Sequence, residues 1–334
     1  GMPVRTGVIG VGLMGAEHAR LLTDAVSGAD VAAVFDVDSA RAGAVAAACS
    51  ARVFDDPMVL IKDDSIDAVL IASADKTHEQ FVLACLAAGK PVLCEKPLTP
   101  DVAGSIRIVA AEVELGRRLV TVGFMRRYDP GYADLKAALR SGDLGQALLL
   151  RCVHRNVASV PVPSAVLISG SAVHEIDIAR WLLDEELVSV TVHCPRRSSN
   201  SGDTQDPMLL VFASASGVLV DVEVFLNAGY GYDVRCELVA ESGTVLLDSP
   251  APTVRRAAGS LARAVPGDWR QRFTEAYRRE LQDWVDAVAA GEPPRGASAW
   301  DGYAATVVAD AGIRALDTGR TQHAVPRDQP ALYR

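Results

Sequence analysis

The sequence predicts an α/β protein in two parts. An N-terminal doubly wound parallel (Rossmann) sheet spans residues 2–122, and a C-terminal α+β domain with a large, mostly antiparallel open sheet spans 123–334. Three observations carry this expectation. Apolar runs alternate with helical stretches through the first part, the rhythm of a parallel sheet with crossover helices. The first run leads directly into Gly10-Val11-Gly12-Leu13-Met14-Gly15 and then a helix. After Gly123 the rhythm changes to strand-like runs joined by short links such as Ser214-Ala215-Ser216-Gly217 and Glu241-Ser242-Gly243, which suggest hairpins.

In order, Val4 to Ile9 reads as a buried strand, and the glycine turn after it has the setting a dinucleotide site needs. Gly10 permits the tight turn, Gly12 lets backbone approach a pyrophosphate, and Gly15 lets the helix pack on the strand. Leu13 and Met14 lie in the turn, and the helix that starts at Ala16 points its free N–H groups at the phosphates. Val31 to Phe35 is the second strand. It ends in Asp36, about 20 residues beyond Gly15, where a carboxylate accepts hydrogen bonds from both adenosine ribose hydroxyls and repels a 2′-phosphate. Arg41 is the nearest arginine, so the pattern favours NAD over NADP; alone, Asp36 also fits a strand-end turn or a helix cap. Ser39 is placed as the cap of a helix to Cys49, Arg52–Phe54 as a short strand, and Asp55-Asp56-Pro57 as the start of a helix to Lys62. Strands follow at 67–72, 91–94 and 119–122, with helices at 75–88 and 101–116 between them. Ligands bind at the C-terminal strand ends of such sheets, where Gly10, Asp36, Ser73 and Glu95-Lys96-Pro97 all fall.

In the second part, helices are expected at 129–140 and 171–183. Extended runs cover 145–156, 188–194, 208–213, 217–226, 233–240 and 244–247, and the polar stretch 198–206 reads as a mobile loop. Phe273, Tyr277, Leu281, Trp284, Val285 and Val288 share one face of a helix ended by Gly291, most simply a core face. A last helix covers 299–318.

At 334 residues, two domains are the prior. Hydrophobic content of 49% with 22% charged residues is globular. A net charge of −9 argues against nucleic acid or an anionic membrane as partner. No apolar run reaches the roughly 18–20 residues of a membrane span. The start of the chain has no secretory character, and Gly1 ahead of Met2 reads as a tag remnant. Six scattered cysteines without a C-x-x-C pair read as reduced thiols of a cytoplasmic protein, and no histidines stand at metal-ligand spacing.

Two residues could carry chemistry. Lys96 stands before Pro97 at a strand end, where proline favours an extended backbone and projects the lysine outward. Its ammonium could hold a substrate hydroxyl and stabilise alkoxide charge; an ion pair with Glu95 is the plain alternative. His174 opens a largely apolar helix with Asp177 at i+3, and histidine is the natural proton acceptor in alcohol oxidation; a buried or capping histidine fits equally. His18 and His78 lie early on helices of the first domain, where cofactor-side packing or a cap contact is expected. His154, beside Arg155 and Asn156, could line a cleft.

The chain resembles the glucose–fructose oxidoreductase/inositol dehydrogenase family along its whole length, and its inositol-oxidising branch most. The stretches that carry the likeness are Gly10–Gly15, Glu95-Lys96-Pro97 and His174-Glu175-Ile176-Asp177. More specific are Gly123-Phe124-Met125-Arg126-Arg127-Tyr128-Asp129, His154-Arg155-Asn156, Tyr230-Gly231-Tyr232-Asp233 and Ala299-Trp300-Asp301-Gly302-Tyr303. The resemblance implies NAD-dependent oxidation of a cyclic polyol, myo-inositol or a close stereoisomer, to its ketone. It implies that Lys96 orients the polyol and His174 removes the hydroxyl proton. Met125, Arg126, Asn156, Asp177 and Tyr232 then line the substrate pocket, while Ser73, His78 and Glu95 join the glycine turn and Asp36 on the cofactor side. A homotetramer through the open sheet is also implied. One departure stands out: Gly170 occupies the position, four residues before the histidine, where such enzymes carry an aspartate. The alternatives are a dehydrogenase of another sugar, an NAD-using glycosidase and a non-enzymatic NAD-binding sensor.

Overall fold

The structure, a computed structural model, describes residues 1–334. It divides into two compact units, one of residues 1–125, 275–306 and 327–334, the other of residues 126–274 and 307–326. The first unit thus takes in more than the continuous stretch 2–122, because segments near the C-terminus group with it. No helix is long and apolar enough to cross a membrane.

The first unit is built on six strands: β1 (Val4–Ile9), β2 (Ala29–Phe35), β3 (Arg52–Val53), β4 (Ala68–Ile71), β5 (Val92–Cys94) and β6 (Val120–Val122). They lie in the order β3-β2-β1-β4-β5-β6 with every pairing parallel. This is the doubly wound order that reverses between β1 and β4, the switch point at which such sheets bind ligands. Helices α1 (Leu13–Asp24), α2 (Ser39–Cys49), α3 (Pro57–Lys62), α4 (His78–Ala87) and α5 (Val102–Leu115) connect the strands. Their ends follow local chemistry. Asp56 Oδ1 accepts from Met58 N–H ahead of Pro57, and Asp101 Oδ1 accepts from Gly104 N–H at 2.7 Å. Gly116 closes α5 in the left-handed conformation at φ 76°. The cap of α2 is Asp38, not Ser39: its Oδ1 takes both the Ala40 and Arg41 N–H groups at 3.1 Å, and a carboxylate meets two donors better than a hydroxyl does.

The second unit holds α6 (Pro130–Ser141) and α7 (Val173–Leu183), the latter entered through a π-helical stretch at Leu167–Ala172. Its strands are β7 (Ala147–Arg155), β8 (Leu187–His193), β9 (Met208–Ser214), β10 (Leu219–Phe225), β11 (Asp233–Ala240) and β12 (Gly243–Leu246). A two-stranded hairpin, β13 (Arg255–Ala257) with β14 (Ser260–Ala262), stands apart, and β15 (Gln322–His323) adds a short edge. The large sheet runs β12-β11-β7-β10-β9-β8-β15 and is antiparallel except for the central pair β7–β10. Strict alternation gives it one buried face, with Leu150, Cys152 and His154 on β7 beside Val220, Val222 and Val224 on β10. The opposite face carries Arg151, Asp221 and Glu223 among apolar residues.

The stretch 198–206 is not a free loop. Asp206 is fully buried, and its carboxylate accepts from Ser201 Oγ and from the N–H groups of Leu226 and Asn227, pinning the segment to the end of β10. Two long helices follow, α8 (Trp269–Ala290) and α9 (Ala299–Thr318). The expected face of α8 is buried at Phe273, Tyr277, Leu281, Trp284 and Val285, although Phe273 itself breaks the helical geometry at φ −116°.

Candidate functional site

In the first unit, the glycine turn meets its three requirements. Gly10 has φ 85°, and a Cβ there would lie 2.4 Å from the Ser73 backbone nitrogen. A Cβ at Gly15 would lie 1.8 Å from Gly10 O, so α1 crosses too closely for any side chain. At Gly12 the only atom within reach is Arg41 Nη1, at 3.8 Å, which leaves the backbone open to a ligand. Gly12 is also the N-cap of α1 and offers no side chain to its first-turn N–H groups. Those donors are what a pyrophosphate takes up.

Asp36 stands at the end of β2 with Oδ2 accepting from Val11 N–H and Oδ1 from Asp38 N–H, both at 2.8 Å. A carboxylate has about four acceptor positions, so two are left for a pair of ribose hydroxyls. The Arg41 guanidinium lies 3.8 Å from Oδ1, closer than its distance in sequence suggests. These residues fit a dinucleotide without adjustment.

Three other expected cofactor-side residues also brace the turns. His78 is 1% exposed; its Nδ1 is 2.7 Å from Pro97 O and its Nε2 2.9 Å from Ser73 O, so it ties the turn after β4 to the one after β5. Ser73 packs its backbone under Gly10, and its hydroxyl meets Thr77 Oγ1 at 2.7 Å. Glu95 is buried, its Oε1 2.6 Å from His18 Nε2. Lys96 follows it, half-buried, at the end of β5. Leu13 is exposed at the head of α1 with Met14 half-buried beside it, and Met125 is fully buried.

In the second unit, the polar residues gather around Arg126. It is 1% exposed, and its guanidinium meets Glu175 Oε1 through Nη1 and lies 5.3 Å from the Phe273 ring centre. Glu175 Oε2 is 3.1 Å from His154 Nδ1. Burial pushes the Glu175 carboxyl up, but Arg126 and His154 outweigh it and hold the group below its ordinary range. Burial, with the Glu175 charge adding to it, raises the Tyr132 and Tyr232 phenols against the opposing pull of Arg126. Asp177, also buried, accepts both hydrogen bonds of the Arg127 fork at 2.7 and 3.0 Å.

The His154 ring links this core to the reactive candidates. Its centre is 6.2 Å from the half-buried His174 ring and 6.0 Å from the ring of Tyr232, which meets it edge-on at 84°. Asn156 continues from β7, its N–H donating to Phe225 O at 2.9 Å. Arg126 Nε, Tyr132 Oη and Asn156 Oδ1 are all buried without a protein partner. Buried polar atoms are rarely left unpaired, and donors and acceptors left so are what a polyhydroxylated ligand would satisfy. Gly170 lies in the π-helical stretch, and a Cβ there would press on the Val166 Cγ1 methyl at 3.2 Å, a tight contact with a side chain and not with backbone. No cluster of three or more His, Cys, Asp or Glu side chains is arranged to hold a metal.

Sequence reasoning missed His18 as the partner of Glu95, Glu175 as the partner of Arg126, and Tyr132. Each acts through a residue far away in the chain. The one local sign was the carboxylate inside each motif, Glu95 before Lys96 and Glu175 after His174.

Comparison with known proteins agrees with this geometry. The family model described as "Oxidoreductase family, NAD-binding Rossmann fold" matches residues 4–124, and that described as "GFO/IDH/MocA C-terminal domain" matches 132–246. Inositol 2-dehydrogenase 2 of Saccharopolyspora erythraea is 56% identical, covering 99% of this chain and 98% of the relative. An inositol 2-dehydrogenase of Klebsiella pneumoniae is 44% identical over the whole of both chains. Among solved structures, myo-inositol dehydrogenase from Lactobacillus casei in complex with NAD(H) and myo-inositol is similar at a TM-score of 0.96 and 36% identity, covering 100% of both chains. Motifs, strand order and relatives converge: the chain belongs to the GFO/IDH/MocA family of NAD-dependent oxidoreductases that act on CH–OH groups.

Proposed function

We propose that this protein oxidises one secondary hydroxyl of an inositol to the ketone with NAD. The observation that carries the reading is the set of buried, unpartnered polar atoms on Arg126, Tyr132 and Asn156, in a chain that resembles inositol dehydrogenases from end to end. A ring bearing a hydroxyl on every carbon offers donors and acceptors in all directions, which such a lining requires.

Bound NAD supplies the hydride acceptor. In this reading the Lys96 ammonium holds the reacting hydroxyl and stabilises negative charge on its oxygen as the C–H bond breaks. His174 takes the hydroxyl proton, so the alcohol loses one hydride and one proton and leaves as a neutral ketone. Arg126 and Asn156 orient the remaining hydroxyls, with Tyr232 and Met125 closing the apolar side. Asp177 acts by fixing Arg127. On the cofactor side, Gly12 and the head of α1 take the pyrophosphate, and Asp36 takes the adenosine ribose.

A homotetramer joined through the open face of the large sheet is part of the same proposal. That face is amphipathic, with Leu219 exposed beside Asp221, Glu223 and Arg151. Light scattering on a purified sample would give four protomers; a monomer would refute it. A cytoplasmic location also belongs to the reading, in keeping with six unpaired cysteines.

The test is NADH absorbance with a panel of inositols and aldoses, using NAD and NADP in turn. Turnover on an inositol with NAD is expected, with Lys96→Met and His174→Ala each lowering kcat at least about 100-fold. NADH formed only from an aldose would reassign the substrate, and two fully active variants would overturn the roles.

A further inference from the structure

His18 has no part in the chemistry above, yet its side chain is fully enclosed in the first unit. Its Nε2 lies 2.6 Å from Glu95 Oε1, while Nδ1 is buried with no partner. The tautomer that leaves no orphaned N–H therefore carries its proton on Nε2 and donates to the carboxylate. Tyr277 packs its ring edge-on against the imidazole, centres 5.6 Å apart at 79°, and blocks other orientations. Gly123 packs against the carboxylate itself, since a Cβ there would come within 2.8 Å of Glu95 Oε2. The second carboxylate oxygen accepts from the Lys96 N–H at 3.3 Å.

These contacts form a continuous chain. It starts on α1, whose first turn forms the dinucleotide cradle, passes through the imidazole to Glu95, and ends on the backbone of Lys96. A space-filling role is a poor account of it, because an apolar side chain in the same volume would leave the buried Glu95 carboxylate without its imidazole donor.

We propose that His18 is a positioning residue for Lys96, acting through Glu95, and that it links the cofactor cradle to the lysine turn. The proposal rests on the role assigned to Lys96. Its test compares two amides in the full-length enzyme. His18→Gln places an N–H near the Nε2 position, whereas His18→Asn falls short of Glu95; the pair matches in polarity and differs in reach. For His18→Asn, kcat on the inositol substrate should fall about 10- to 100-fold, while the calorimetric Kd for NAD stays within about 3-fold. For His18→Gln, kcat should recover to within about 5-fold of the wild type.

Equal losses in the two variants, no loss in either, or a collapse of NAD affinity that parallels kcat would each overturn the proposal. Lys96→Met is measured alongside. If it is inactive while His18→Asn is fully active, only the positioning role fails. If it is fully active, the lysine's role fails and takes this proposal with it.

Discussion

Replacing Glu175 by leucine would leave Arg126 ionised, enclosed and without its counter-ion. Both residues are 1% exposed, and the carboxylate is shared between Arg126 Nη1 and His154 Nδ1. So little water reaches the pair that solvent cannot replace the lost charge, and removing one partner of such a pair costs about 3–5 kcal/mol. Glu175→Gln keeps a carbonyl to accept from the guanidinium and belongs at the lower end, about 3 kcal/mol; Glu175→Leu belongs near 5 kcal/mol. For a domain of this size that is a fall in Tm of about 6–12 °C for the amide and more for leucine. Urea unfolding and thermal melts at pH 7.5 give the values, and Arg126→Met/Glu175→Leu should recover most of the loss, since no buried charge remains. Direction with pH follows from the lowered Glu175 carboxyl. An acid whose pKa is depressed on folding contributes stability above its ordinary value of 4.5 and loses it as pH falls through the folded value. The wild type should therefore lose stability more steeply than Glu175→Leu below that pH. A Glu175→Leu cost under about 1 kcal/mol, or a double variant as unstable as the sum of the singles, would refute the argument.

Three further outcomes are expected. Asp36→Ser should weaken NAD binding about 10- to 100-fold through lost charged hydrogen bonds, and calorimetry should show NADP discrimination narrowing because Arg41 remains within 3.8 Å of the position. Gly15→Ala sets a methyl against Gly10 O and should abolish measurable dinucleotide binding with a lowered melting temperature; unchanged NAD titration would contradict the close crossing. Gly170→Asp meets only the Val166 side chain, so the protein should fold normally while kcat/KM shifts among inositol stereoisomers by about 10-fold or more. An unchanged panel would remove Gly170 from the specificity argument.

Legibility in the sequence tracks how local each cause is. The bounds of α9, Ala299–Thr318, agree with the apolar period, and β1 and β11 agree to the residue, because periodicity and flanking glycines act over a few positions. The glycine turn was legible for the same reason, since Gly10 and Gly15 each answer a clash with backbone close by and Gly12 keeps the turn open to a ligand. Hairpin β13–β14 was not, since all six of its residues are exposed and there is no alternation to detect. The central β7–β10 pair was not legible either: parallel neighbours are chosen by the whole sheet, and the short links around β10 speak only for its antiparallel side. Asp206 reads as a loop residue until strand β10 ends beside it and supplies two backbone N–H donors.

The least legible features are the two buried carboxylate–histidine pairs, and they share a logic. Glu95 finds His18 across 77 residues and Glu175 finds His154 across 21, so no window of sequence contains both members with a pattern to connect them. Yet each carboxylate is the immediate neighbour of a residue assigned to chemistry, Lys96 in one case and His174 in the other. At a strand end, consecutive side chains point to opposite faces; on a helix, consecutive side chains point about 100° apart. A reactive side chain facing a ligand therefore has a neighbour facing the interior, and a carboxylate there can be clamped by a distant imidazole. The clamp fixes the backbone that carries the reactive group without occupying the space of the substrate. On this argument the Glu95 anchor should govern turnover more than affinity, and a Glu95 variant that raised KM while leaving kcat intact would refute it, whereas Glu175 also holds Arg126 and should affect both.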